Sequence, residues 1–584
     1  MNRKPNLTGR LYLRLFFPTL LIQLFNVAST LLDSIIPGQF FGEVALSAIA
    51  LTTPLLMLLT AFTDMISLSG SALFSRELGR GNPAGARRYF TAAMLGAVAL
   101  GSVIAGAGLL CLDPLTRLLG ADEAVFAPAR KVTAGTLLAF PVIGVYMSAG
   151  YFARNDGHPR LAMAADIAFM ALNLGLDILL TGFTPLGVVG SVAASMAAAV
   201  ASTGVLCAVF FMRGSNLRFT KTARLSDFWD IVKGGYGLTF QSVYEGVAAG
   251  IFNNAVMRAF GGDGLVLYAV VTYVNEFIRS AGFAIRDTAQ PMLSSYVGEN
   301  RPDAVRRTMV AALKSGVALS AALLALLELL PPGAYRLFGI TRAPLLAGAA
   351  GLARRYALAA PALCFNYVYI SYYQFLELPR LAFVTLLVQQ LALKLPAGLL
   401  GLRAGGLEGM ALALVGAEYA TALLCLALSR VHAARQRPPL TPVLLLAAAP
   451  PRRFLAECFA RTEEVMAALD GLREFLAGEG VAHGTVNRVI LALEELGINI
   501  CAYNGAGGVV EICVDLGPDG IAAQVRDTCR PFDPVAFYDG NPRRAGYGLA
   551  LAHHAAAAVE YVPTVGLNRT LLRFARDGGA TSFT

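Results

Sequence analysis

Charge is scarce in this chain. Asp, Glu, Lys and Arg make up only 15% of its 584 residues, against 56% hydrophobic residues and a mean hydropathy of +0.60. Soluble globular domains carry about 25% charged residues, so an ordinary soluble fold is excluded for most of the length and a polytopic membrane protein is implied. Cysteines are few and poorly placed for a metal. The eight, at 111, 207, 364, 425, 458, 501, 513 and 529, form no CxxC pair and lack zinc-site spacing, which reads as reduced, mostly buried thiols. His553 and His554 adjoin each other with no acidic or cysteine cluster beside them, so no metal centre is expected there. A GxxxxGKS or GxxxxGKT loop is also missing, which argues against ATP hydrolysis as a direct engine. The net charge of +9 implies no nucleic-acid partner, because basic residues of membrane proteins gather in cytoplasmic loops.

Long apolar runs take the place of charge. Six of spanning length lie between 13 and 211 and six more between 236 and 430, about twelve at ~20 residues per crossing. The loops 76–88, 154–160, 213–233, 301–314 and 430–437 are basic, whereas those near Gly42, Pro185 and Gly262 are not. By the positive-inside rule the basic loops and both termini face the cytoplasm, in the cell (inner) membrane. No small-residue cleavage site follows Arg3, Lys4, Arg10 and Arg14, so the first helix is expected to be retained. LGRGNPAGARR (78–88) pairs with VGENRPDAVRR (297–307), HPRLAM (158–163) with LPRLAF (378–383), and Gly187 and Gly190 with Gly406 and Gly409, at separations of 219 or 220. This duplication predicts an all-α membrane part of two six-helix repeats, at 1–219 and 220–437, parallel about an axis normal to the bilayer. Two lobes flanking a cleft suit alternating-access transport better than a channel or a membrane enzyme.

One stretch, RNDGHPRLAMAADIAFMALNLGLDILLTGFTPLGVVGSVAAS (154–195), carries Asn173 and Asp177 inside an apolar run, spaced i, i+4 and so on one helix face. An acid at membrane depth costs about 2.5–3.5 kcal/mol on insertion scales and as a rule faces a cavity or a partner. The expectation is a proton or metal-ion site that drives transport. Other polar residues within spans are Asp64, Glu245, Glu276 and Arg279, of which Glu276 and Arg279 are i, i+3 and placed to pair.

Past Arg437 the character changes. Residues 438–451 are proline-rich and read as a linker or the start of a docked segment, and 452–584 reads as a cytoplasmic α/β sandwich. TEEVMAALDGLREFLAGEG and GTVNRVILALEELGINICAYN have helical periodicity, GVVEICVDL and GIAAQVRD form a hairpin, GYGLALAHHAAAAV is helical, and NRTLLRFA is a closing strand. Glu495 and Asn499 share a helix face, where a carboxylate can act as a base and an amide oxygen can hold Mg²⁺. Asp527 ends a strand and can accept from an adenine amino group. Gly546 and Gly548 precede a helix N-terminus and allow close approach of a phosphate, and Thr570 enters the last strand.

The two lobes, Asp33 late in the first span, the LGRGN loop and N-x-x-x-D in the fifth span together resemble the multidrug and toxic compound extrusion (MATE) family over roughly 10–435. The resemblance implies a twelve-helix antiporter that exports amphipathic, often cationic, small molecules in exchange for Na⁺ or H⁺. It implies a cation site of Asp33, Asn173, Asp177 and Ser195, and Glu245 matches a carboxylate that some branches place on the seventh span. The second half has Leu393 or Lys394 and Ala397 at the positions matching Asn173 and Asp177, hence no equivalent acid there. Residues 455–576 resemble histidine-kinase-like ATPases of the Bergerat fold, nearest to anti-sigma-factor serine kinases. That resemblance implies ATP and Mg²⁺, with Glu495 as catalytic base, Asn499 as Mg²⁺ ligand, Asp527 as adenine reader, Gly546 and Gly548 as phosphate lid and Thr570 in the adenine pocket. It also implies an anti-sigma-factor antagonist-like protein as a candidate partner. Cys529 replaces the glycine usual after the aspartate, and Tyr503 stands where histidine is common. No phosphoacceptor-histidine helix precedes the domain. The expected function is therefore an ion-coupled exporter with an ATP-binding regulatory domain, or alternatively a membrane-anchored kinase that uses the transporter part as a sensor.

Overall fold

The computed structural model describes residues 6–575 apart from 336–341, 438–439, 447–451, 505–507, 518–519, 541–545 and single positions at 122, 124, 188, 213, 334 and 531. Sixteen helices and five strands are described. The first half holds α1 (Leu7–Gly79), α2 (Pro83–Leu110), α3 (Leu112–Leu118), α4 (Phe126–Asn155), α5 (Pro159–Phe183) and α6 (Val189–Leu206). The second holds α7 (Leu225–Gly298), α8 (Pro302–Leu329), α9 (Ala343–Ala357), α10 (Ala360–Phe375), α11 (Pro379–Leu387), a π-helical turn over Val388–Lys394, and α12 (Leu395–Arg435). Among the described residues eight helices are long and apolar enough to cross a membrane. α1 and α7 run 73 and 74 residues, several times the ~20 that one crossing needs. α7 breaks at Gly261 and α12 at Gly405–Gly406, where φ and ψ leave the helical range.

Packing in these helices inverts the pattern of a soluble protein. Leu110, Val103 and Leu423 are among many large apolar side chains left exposed toward lipid, while α5 buries Asn173, Asp177 and Thr181 in a single i, i+4, i+8 stripe. The cysteines are all free; five are buried, Cys529 is half-buried, and Cys111 and Cys207 are exposed.

The C-terminal ends of α1 and α7 meet. A Cβ added to Gly79 would overlap the Ser295 carbonyl, and one on Gly298 would overlap the Arg76 carbonyl. The two contacts mirror each other, since Arg76 and Gly79 stand 219 residues before Ser295 and Gly298. α2 and α8, which follow these loops, are each 28 residues long and open on Pro83 and Pro302.

The C-terminal domain is a five-stranded antiparallel sheet of order β1-β2-β3-β5-β4, formed by β1 (Arg453–Phe459), β2 (Val509–Leu516), β3 (Ile521–Asp527), β4 (Ala558–Tyr561) and β5 (Asn568–Phe574). α13 (Thr462–Gly478) and α14 (His483–Asn504) cover one face, with α15 (Pro534–Gly540) and α16 (Gly546–Ala555) completing that layer. Val465, Leu469, Leu472 and Leu476 repeat at helical spacing on α13 and pack with Val489, Leu493, Ile512, Val525 and Leu572. The hairpin and the closing strand stand where the sequence implies them. The helix begun at Gly546 stops at Ala555, and Ala558–Tyr561 pairs with β5 as an edge strand, in place of a helix through Val559. RFLAECF is an additional strand, its Phe454 and Cys458 facing the helical core. The linker is docked in part: Tyr369 and Tyr372 donate hydroxyl hydrogen bonds to the Val443 and Leu444 carbonyls.

Gly298→Ala should force the ends of α1 and α7 apart and cost about 1–3 kcal/mol, the range for overpacking a close contact. A fall in the melting midpoint of the detergent-solubilised chain, measured against a Gly250→Ala control in open space, checks this.

Candidate functional site

In the membrane part the site grows from the polar stripe of α5. Asp177 is 1% exposed and Asn173 3% exposed. Thr181 donates its hydroxyl to Asp177 Oδ1 at 2.8 Å, and Ser195, reaching across from α6, donates to Asn173 Oδ1 at 2.8 Å. Asp177 Oδ2 is buried with no hydrogen-bond partner among the described residues. A buried carboxylate oxygen without a donor is costly, so the position suits an electropositive partner. Carboxylate, amide and hydroxyl oxygens are the donor set of a hard cation. The structure thus joins Asn173, Asp177 and Ser195, and adds Thr181, which the sequence reading did not single out. Asp33 lies in α1, and its side chain falls outside the described residues. Glu245 belongs to a different cluster on α7: it accepts from Gln241 at 2.9 Å and lies 3.9 Å from Arg279, which in turn pairs with Glu276.

A second buried acid was missed in sequence. Glu418 on α12 is fully buried, accepts from Asn366 and Gln389, and lies 3.1 Å from the Lys394 ammonium. The helix after the one matching α5 carries it, so a comparison at the register of Asn173 and Asp177 passes over it.

In the C-terminal domain the sheet's pleat sorts residues to two faces. Asp527, Val525, Thr570 and Asn568 share the face beneath the helices, since Asp527 pairs with Asn568 and Val525 with Thr570. Asp527 accepts from the Cys529 N–H at 2.8 Å and from the Asn568 amide at 2.7 Å. Burial pushes its carboxyl up from the usual carboxylate range, and these donors pull it part of the way back. The Cys529 thiol is pushed up to about 12 by burial and by the Asp527 carboxylate, which keeps it protonated. α14, carrying the half-buried Glu495 and Asn499, packs on β3 and on α16, whose first turn holds Gly546 and Gly548. An acid and an amide on one helix, a strand-end aspartate and a glycine-bearing helix N-terminus therefore surround one layer, as a nucleotide with Mg²⁺ requires.

The opposite face is a row of charges. Glu457, Glu511, Arg526 and Arg569 stand side by side across β1, β2, β3 and β5. Each meets the membrane part. Glu457 pairs with Arg307, Glu511 takes a bidentate pair of bonds from Arg301 at 3.0 and 3.1 Å, and Arg526 pairs with Glu299. Arg569 donates to the Leu78 and Gly79 carbonyls at the end of α1, at 3.0 and 2.9 Å. Arg301, Glu299, Glu511 and Arg526 are nearly solvent-free. Around the row, Asn216 donates to the Pro563 carbonyl, and Val509, Val565 and Leu567 join the apolar core of the second half.

Helices long enough to cross a bilayer, an oxygen-lined intramembrane site and an α/β nucleotide-type layer define a multi-pass membrane protein with an ATPase-like domain. Residues 18–179 form a MatE family domain, and residues 458–574 form a histidine kinase-like ATPase domain. The chain is 22% identical over 302 residues to the probable multidrug resistance protein YoeA of Bacillus subtilis, covering 50% of this chain and 65% of that protein. It is 24% identical over 268 residues to the multidrug export protein MepA of Staphylococcus aureus, covering 44% of this chain and 58% of that protein. The matches thus span less than two thirds of either relative. The fold is that of MATE transporters: an outward-facing multidrug resistance MATE family transporter superposes with a TM-score of 0.67 at 19% identity, over 73% of this chain and 96% of that one. A MOP superfamily transporter from Pyrococcus furiosus gives 0.67 at 18% identity over the same shares.

Asp527→Ala in the full chain should abolish Mg·ATP binding, read by calorimetry, while the helical circular dichroism stays unchanged. Arg526→Met removes the nearer of the two guanidinium partners of the buried Glu299, leaving Arg569 at 3.8 Å, a loss of about 3 kcal/mol. Hydrogen exchange in β1 and β3 should then rise by at least tenfold.

Proposed function

We propose that the chain is an ion-coupled antiporter, driven by H⁺ or Na⁺, that exports amphipathic or cationic small molecules and is regulated by its ATP-binding C-terminal domain. The proposal places twelve membrane helices in two six-helix repeats, 1–219 and 220–437, in the cell (inner) membrane. Residues 438–451 form a linker, 452–584 form the regulatory domain, and both termini are cytoplasmic. The observation that carries it is the buried, unpartnered Asp177 Oδ2 within an oxygen cluster of α5 and α6, in a fold whose solved neighbours are transporters. A proton or cation that satisfies this oxygen in one state, and leaves in the other, supplies the differential binding that alternating access needs. Asp33 completes the cation set, and Glu245 with Arg279 lines the second half.

Regulation is supported by the two-sided strand β3. Asp527 faces the nucleotide layer while Arg526, one residue earlier, faces the membrane part, so ligand-induced movement on one side is felt by loops of both halves. Glu495 would act as base and Asn499 would hold Mg²⁺ against ATP phosphates near Gly546 and Gly548, with Thr570 beside the base. A second reading, phosphorylation of an anti-sigma-factor antagonist-like protein with the membrane part as sensor, draws on the same layer, because the docked face leaves Glu495 on the other side of the sheet.

Inverted vesicles should show uptake of a fluorescent lipophilic cation under an imposed H⁺ or Na⁺ gradient, and Asp177→Asn should abolish it while leaving membrane insertion intact. Wild-type uptake in Asp177→Asn overturns the coupling site. Transport that persists after removal of 440–584 favours the regulated exporter, and ligand-dependent phosphotransfer that needs Asp177 favours the sensor.

A further inference from the structure

The intramembrane site of the first half has a structural counterpart in the second, and the counterpart holds a cation of its own. In the first half Gly190 of α6 abuts the backbone of Leu180 in α5; in the second Gly409 of α12 abuts Gly401 in the segment following α11. Gly187 and Gly406, at the bends before these contacts, are both left-handed. These crossings set the register. Asn173 stands seven residues before Leu180, two helical turns, and Lys394 stands seven before Gly401. From Pro159 to Leu180 the chain takes 21 steps, and from Pro379 to Gly401 it takes 22. The extra residue is absorbed by the π-helical turn Val388–Lys394, a type of bulge concentrated at functional sites. Lys394, not Leu393, is therefore the match of Asn173, and Gly398 the match of Asp177.

The acid has moved rather than vanished. Glu418 lies on α12 nine residues after Gly409, one turn beyond the match of Ser195. Its Oε2 accepts from Asn366 of α10 at 2.9 Å and from Gln389 of the π turn at 2.8 Å. Its Oε1 takes part in no hydrogen bond but lies 3.1 Å from Lys394 Nζ. In the first half the corresponding orphan is Asp177 Oδ2, which has no hydrogen-bond partner among the described residues. Glu245 and Tyr268 of α7, Tyr356 of α9, Tyr367 of α10 and Cys425 of α12 are the other titratable groups that face the pair.

We propose that the second half carries a self-neutralised counterpart of the Asn173–Asp177 site, in which the Lys394 ammonium takes the place of a coupling cation against Glu418. Ion exchange then runs through the first half alone, and Lys394 is the residue that sets this stoichiometry. The inference rests on the ion-coupled reading, but its test does not depend on transport. Without the ammonium the two amides still hold Glu418 Oε2, but the fully buried Oε1 is left with no positive partner, which creates demand for a proton or a sodium ion.

Radiolabelled sodium binding and proton uptake after a pH jump are measured on the purified full chain as wild type, Lys394→Gln, Lys394→Gln/Glu418→Gln, Lys394→Gln/Asp177→Asn and Asp177→Asn. Lys394→Gln should gain about one equivalent of sodium or protons per chain, a gain retained when Asp177→Asn is added and lost in the double variant lacking Glu418. Binding by Lys394→Gln no higher than wild type overturns the proposal. So does a Lys394→Gln protein that unfolds at every pH and sodium concentration while the double variant stays monodisperse; stability regained only in sodium or acid supports it. If Asp177→Asn binds like wild type, the ion-coupling reading of the first half fails, and the comparison of Lys394→Gln with its Glu418→Gln double still decides this one.

Discussion

Buried charge must be matched, and among the described residues an extended matched set lies between the sheet and the loops that follow α1 and α7. Glu457, Glu511, Arg526 and Arg569 occupy one row across four strands, and their counterparts Arg307, Arg301 and Glu299 and the α1 carbonyls lie on both halves of the membrane part. Pairs this enclosed contribute little net stability relative to apolar packing, but leaving one member alone is costly. The row therefore works as a register device. The domain seats in one orientation, which turns its nucleotide layer away from the membrane and sets β3 between the two.

The intramembrane sites obey the same rule with different solutions. Among the described residues Asp177 has a hydroxyl donor on one oxygen and no hydrogen-bond partner on the other, whereas Glu418 has two amides and an ammonium. Among the described residues the first arrangement leaves one carboxylate oxygen without a donor, and the second sets an ammonium beside its own. A pair of similar helix crossings, held by glycines against backbone, thus carries one open and one closed polar centre.

Much of this was legible from residue patterns. Asn173 and Asp177 stand out because any acid in an apolar run is anomalous, and the i, i+4 spacing puts them together; Ser195 came from family resemblance, and its hydroxyl does bond Asn173. The hairpin β2–β3 and the helices α13 and α14 follow from alternation and from 3.6-residue periodicity. Lys394 could not be told from Leu393 as the match of Asn173 because a one-residue π bulge shifts the register, and Glu418 was hidden because it sits beyond the matching position, on α12. The docking row was hidden for a simpler reason. Charged residues at alternate strand positions look like a solvated face, and only the loops of a distant segment show that water is excluded there.

The docked linker changes how that interface should be thought of. Tyr369 and Tyr372 hold Val443 and Leu444 against α10, and β1 starts at Arg453. The domain is thus tethered within a few residues of its seat, and the local concentration it presents there is of order millimolar, whatever the abundance of the protein. Docking is a unimolecular equilibrium. Its position does not depend on how much of the protein the cell makes, and each contact in the row can be individually weak and still keep the seat occupied.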